Sequence, residues 1–153
     1  MGRPQGTARD NRRVIDSRGA NERPSGRVVE QRIRNRVREY FEVASSYEAQ
    51  RQYERDAPIA HVPYEVINQW DDWVKHDPRE DSHQLEVYSP DEVEALCDYQ
   101  AALDVACHAV SDNYPPLDEV QSLPEWHQLR QAAGAALAVF ARRGKLPEEY
   151  EVP

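Results

Sequence analysis

The sequence predicts an all-α domain, most simply a small helical bundle of about four helices behind a disordered Arg-rich N-terminal tail. Three observations carry that expectation. Apolar residues recur at three- and four-residue steps in four separate stretches, the spacing that lines one face of an α-helix. Prolines punctuate the links and sit where helices start or stop. Two Ser-x-x-Glu arrangements, Ser89 with Glu92 and Ser122 with Glu125, match the capping-box pattern of helix beginnings.

Residues 1–26 read as tail. Their glycines and prolines surround a single apolar pair, Val14-Ile15, which buries too little to offset the entropy of ordering. One long helix is expected over 27–55, with Val29, Ile33, Val37, Tyr40, Phe41, Ala44 and Tyr47 as its apolar stripe. Arg32, Arg34, Arg36 and Arg38 fall at or beyond the edges of that stripe. A short extended link between Pro58 and Pro63 leads to a second helix over 63–75, carrying Val66, Ile67, Trp70, Trp73 and Val74. The polar stretch 76–88 reads as loop, with a brief extended piece at 85–88. The strongest local signal follows: Ser89 caps, Pro90 opens the first turn, and Asp91 and Glu92 suit the positive end of the helix dipole. That helix runs over 90–112 and buries Val93, Leu96, Cys97, Leu103, Cys107 and Val110, until Tyr114-Pro115-Pro116 stops it. A turn or short helix over 117–121 leads to the last helix, 124–143. Trp126, Leu129, Ala133, Ala136, Leu137 and Phe140 keep helical spacing there, and Gly144 is placed to terminate it. The expected organisation is a tail (1–26), one domain (27–146) and an acidic C-terminal tail (147–153).

With 153 residues, 39% of them hydrophobic, the chain has the length of one domain and an economical core. No apolar run approaches the ~20 residues that span a bilayer, and the first residues lack an apolar segment. The expectation is a soluble, cytoplasmic protein without membrane contact. Cys97 and Cys107 fall on one helix, some 15 Å apart along its axis, too far for a disulfide; both read as small buried hydrophobes.

Charge is the most distinctive property. Residues 1–38 hold eleven arginines against four acidic residues, a net of +7, whereas residues 39–153 hold eight basic against 24 acidic residues, a net of −16. From residue 65 to 119 there are fifteen acidic residues against Lys75 and Arg79. A basic arm on an acidic body selects partners of opposite sign at each part.

No catalytic, nucleotide or cofactor pattern is present. His76 and His83 with neighbouring carboxylates read as a solvated loop rather than a metal site. Cys107 and His108 are adjacent and so point about 100° apart on a helix, which is no nucleophile–base geometry. The sequence therefore favours a small helical protein-binding module rather than an enzyme. An inhibitor or immunity-type protein, whose acidic face masks a basic macromolecular partner through Asp71, Asp72, Asp91, Glu94 and Asp98, is its most concrete form. The alternative is an accessory nucleic-acid-associated factor anchored by Arg12, Arg13, Arg32, Arg34, Arg36 and Arg38, holding phosphates without sequence readout.

Overall fold

A computed structural model describes residues 23–74, 77–81 and 86–153. Among these residues the chain forms six helices and no strand: α1 (Gly26–Ala44), α2 (Tyr47–Asp56), α3 (Val62–Trp73), α4 (Pro90–Ala109), α5 (Leu117–Gln121) and α6 (Pro124–Ala141). The all-α class holds, with six helices where about four were expected. No helix among the described residues is long and apolar enough to cross a membrane.

Of the two additional helices, α5 was read as a turn or short helix, and the other comes from a break that the apolar stripe conceals. Helix 27–55 is two helices, because Ser46 leaves helical geometry (φ −132°, ψ 112°) and its side chain accepts from the Ala49 N–H at 3.0 Å. A serine in the extended region is a strong N-cap, and a second helix starts on it. The carbonyls that the break exposes are met by a buried side chain: Gln50 Nε2 donates to Val43 O and Ala44 O, each at 3.2 Å. The Oε1 of Gln50 accepts from Trp126 Nε1 and Gln121 Nε2, each at 3.1 Å, tying α2 to α5 and α6. Between α2 and α3 the chain makes a turn at Pro58-Ile59, not an extended link.

Only one of the two capping boxes forms. At α4, Ser89 Oγ accepts from the Glu92 N–H at 3.2 Å while Glu92 Oε1 accepts from the Ser89 N–H at 3.1 Å. At α6 the cap residue is Leu123, which offers no side-chain acceptor. Ser122 belongs to the end of α5 instead, donating its hydroxyl to Glu119 O at 2.6 Å. Glu86 and Val87, expected to be extended, are helical. Gly144 closes α6 as expected, at φ +69°, a conformation glycine adopts without a Cβ penalty, with its N–H donated to Phe140 O at 3.0 Å.

Four helices converge on an aromatic core. Phe41 of α1 sits 5.7 Å from Trp70 (α3), 5.1 Å from Tyr99 (α4) and 5.5 Å from Phe140 (α6), centroid to centroid. Tyr40 donates its hydroxyl proton to Val66 O at 2.5 Å, so the Tyr99 hydroxyl, 2.7 Å away, is the donor to Tyr40. Both phenols are satisfied inside the core, as buried hydroxyls must be. Around this centre α4 packs along α6, and α1 crosses α6 where Ala133 and Ala136 are buried. One residue expected in the core is not there: Cys107 is exposed, whereas Cys97 is half-buried and packs against the core. Tyr99 and Ala106 occupy the buried side of α4.

Candidate partner-binding face

Helical spacing puts Asp91, Glu94 and Asp98 on one exposed side of α4, three and four residues apart. They rim a groove of about 310 Å³ between α4 and α6, floored by small residues including Ala95, Ala132 and Ala136. Two of the three carboxylates carry exposed ion pairs: Asp91 with Arg142 at 3.0 Å and Glu94 with Arg79 at 2.8 Å. Asp98 makes no ion pair among the described residues. Pairs so open to water hold little energy and exchange readily for another cation.

Asp71 lies elsewhere. It borders a second groove of about 290 Å³ on the opposite flank of α4, with Trp70, Gln100, Leu103, Asp104 and Cys107. Asp72 is exposed near the end of α3 and lines neither groove. The five acidic residues singled out from the sequence are thus three in one groove, one in its neighbour and one outside both. Asp104 was missed, although it stands on the same helix, two turns beyond Cys97, and completes the acidic edge of the second groove. One signal for the whole face was legible: no Lys or Arg occurs between residues 80 and 129, a stretch that contains all of α4 and α5.

The arginines behave differently from the sequence expectation. Arg34 is fully buried rather than at the edge of a stripe, and it cannot reach a phosphate from there. Its guanidinium forms a two-pronged pair with Glu92, Nε to Oε1 at 3.2 Å and Nη2 to Oε2 at 2.7 Å. It also donates to Gly144 O at 2.8 Å and stacks over the Phe140 ring at 4.9 Å. Arg143, just past the end of α6, reaches the same carboxylate with Nε at 3.2 Å. Burial pushes the Glu92 carboxyl up, but hydrogen bonds from Arg34, Arg143 and the Ser89 N–H outweigh it, so its pKa lies below 4.5.

The rest of α1 holds the C-terminal segment. Gln31 donates to Pro147 O and Tyr150 O at 2.9 and 2.8 Å and accepts from the Val152 N–H at 2.9 Å. Asn35 exchanges hydrogen bonds with the Leu146 backbone in both directions, each 2.9 Å long. Arg32 donates to Glu148 O at 2.7 Å, Arg36 pairs with Glu39 at 2.7 Å, and Arg38 lies 3.7 Å from Glu42. Residues 147–153 are therefore laid along α1 by its polar face. Arg12 and Arg13 lie outside the described residues, as do His76 and His83. Residues 1–22 keep five arginines against three acids, a net of only +2. Among the described residues no group of three His, Cys, Asp or Glu is placed to hold a metal ion.

The carboxylates of the α4 face are exposed and spread along a helix, an arrangement that supplies field and hydrogen-bond acceptors rather than a converged proton-transfer site. No family model, no curated protein and no solved structure matches the chain.

Proposed function

We propose that this protein is a helical binding module, not an enzyme, that masks a basic macromolecular partner with the acidic face of α4 in the manner of an inhibitor or immunity-type protein. One observation carries the reading: Asp91, Glu94 and Asp98 rim a single groove in which Arg142 alone is basic, on a helix inside a fifty-residue stretch without Lys or Arg. A predominantly acidic surface of this kind accelerates encounter with a cationic partner and disfavours anionic ones. The alanine floor lets a partner's backbone come close while the rim carboxylates accept from its Arg or Lys side chains. The nucleic-acid alternative loses Arg34, which is buried against Glu92, while Arg32, Arg36 and Arg38 stay partly exposed.

The test starts from affinity capture with the full-length chain and continues with the purified partner. Affinity is expected to fall at least about tenfold between 50 and 300 mM salt, as screening shortens the field. Glu94→Lys with Asp98→Lys should abolish binding, whereas Asp72→Lys should weaken it only slightly. Binding by the purified partner that ignores both salt and the double charge reversal removes the proposal.

A further inference from the structure

Where α3 begins and the α4–α5 loop turns, three aromatic rings form a cluster in which His61 and Tyr64 are half-buried and Tyr114 is exposed. Tyr64 and Tyr114 stand 4.9 Å apart, and His61 packs against both, at 4.2 and 5.3 Å. The cluster is rigidly wired. His61 Nδ1 accepts from the Tyr64 N–H at 3.3 Å, and His61 Nε2 lies 2.7 Å from Pro115 O, which can only accept, so the ring carries its proton on Nε2. The Tyr64 hydroxyl donates to Ser111 O at 2.7 Å and accepts from the Tyr114 N–H at 3.4 Å.

Tyr114 itself adopts φ +55°, among the described residues the one non-glycine at positive φ. For a bulky side chain, and directly before a proline, that conformation is strained. The strained backbone delivers a phenol ring to solvent: Tyr114 is 68% exposed, and Ile59, two residues before His61, is fully exposed. The two chain segments that build the cluster, 56–74 and 80–129, contain no Lys or Arg, yet place Asp112, Asp118 and Glu119 in the same loop and its following helix.

From this geometry we infer that the Tyr64–Tyr114–His61 cluster is a second anchor point for the basic partner, on which an arginine guanidinium stacks. The inference rests on the acidic-face reading and deepens it by naming the chemistry of the contact. The three rings already fill one another's inner faces, so the ligand takes the outer face of Tyr114. An arginine suits that surface in two ways. Its flat cation is drawn to the negative face of the ring, and the exposed carboxylates Asp112, Asp118 and Glu119 of the same loop and following helix add a negative field that favours it. Lysine, a compact and strongly hydrated charge, gains less from the same platform.

The experiment titrates fluorescein-labelled nona-arginine and nona-lysine into the full-length protein. Wild type should prefer nona-arginine. Tyr114→Gly should weaken nona-arginine by about two- to fivefold, the scale of an exposed cation–π contact, and erase the preference over nona-lysine, while Tyr114→Phe retains both. Glycine accepts φ +55° without strain, so the loop survives the substitution, and Tyr114→Asn serves if glycine loosens the fold. Unchanged nona-arginine binding in Tyr114→Gly overturns the anchor; if Glu94→Lys with Asp98→Lys still abolishes that binding, the acidic face stands alone. Loss in Tyr114→Gly with indifference to the charge reversal keeps the anchor and removes the acidic face. Absence of nona-arginine binding to wild type removes both.

Discussion

Substituting Glu92 by Gln tests the structure at its most consequential polar contact. The carboxylate accepts from Arg34 through both oxygens, from Arg143 and from the Ser89 N–H, and it is 1% exposed. An amide of the same shape must turn its NH₂ toward donors whichever way it is placed. At the Oε2 position it opposes Arg34 Nη2 and Arg143 Nε; at the Oε1 position it opposes Arg34 Nε and the Ser89 N–H. Either way Arg34 remains buried with no counter-charge, and breaking a buried pair from one side costs about 3–5 kcal/mol. At a urea slope of about 2 kcal/mol per molar, the unfolding midpoint followed by far-UV circular dichroism drops by about 2 M. Arg34→Met is the milder loss, about 2 kcal/mol, since Glu92 keeps Arg143 and the Ser89 N–H while Gly144 O loses its donor. The double variant Arg34→Met with Glu92→Gln leaves neither charge stranded and should cost at least about 2 kcal/mol less than the two single costs combined. Additivity within about 0.5 kcal/mol, or a cost under about 1 kcal/mol for Glu92→Gln, refutes the buried pair.

The same carboxylate sets an acid dependence. Its folded pKa is depressed, so the stabilisation it brings is present above pH 4.5 and fades as pH falls through the lower folded value; urea midpoints measured from pH 6 to pH 3 should decline less steeply in Glu92→Gln than in wild type. Ser89→Ala removes a working cap and should cost about 1 kcal/mol, whereas Ser122→Ala, whose hydroxyl caps nothing on α6, should shift the midpoint by less than half as much. Under native conditions a maleimide should label Cys107, which is exposed, well before Cys97, whose thiol is half-buried and pushed up chiefly by that burial; mass spectrometry of the digest reads the order. Asp98→Asn should leave the urea midpoint unchanged or slightly raised, because Asp98 repels Glu94 one turn away and has no ion pair among the described residues.

What the sequence revealed and what it hid divide along physical lines. Local chemistry was legible: the Ser89–Glu92 box, proline at the first turn of α4 and α6, Gly144 at the end of α6, and the stripes of α3 and α6 all depend on residues within a few positions of one another. In α1 the buried Val37, Tyr40, Phe41 and Ala44 were legible, but the inner face of its first half was not. Val28, Gln31, Arg34 and Asn35 face the core there, while Val29, read as stripe, is exposed. Three of those four are polar, and their partners stand 58 to 121 positions away. Hydrophobic periodicity cannot detect a face buried by hydrogen bonds, because its signal is apolarity. The Ser45-Ser46 break escaped for a related reason: Gln50 sustains it, and a glutamine in a helical pattern reads as surface. For the candidate site, the acidity of α4 could be counted, but its division between two grooves depends on how α3 and α6 flank it.

The packing also explains why the charge surplus is where it is. Arginines 32, 34, 36 and 38 face acids or carbonyls of α1, α4 and the C-terminal segment, Arg34 inside the fold and the others at its partly exposed edge, so the basic run lies beside local acceptors at that side of the bundle. The surplus negative charge is left to α3, α4 and α5, where Asp71, Asp72, Asp98 and Asp104 have no ion pair among the described residues. A surface needed only for solubility gains nothing from such separation, since interspersed signs serve as well and avoid self-repulsion along the helix. The exposed carboxylates of α4 therefore oppose folding slightly while the buried Arg34–Glu92 pair supports it. A predominantly acidic α4 suits the cationic partner proposed above, and Asp98→Asn tests that proposal by sparing the fold while weakening capture.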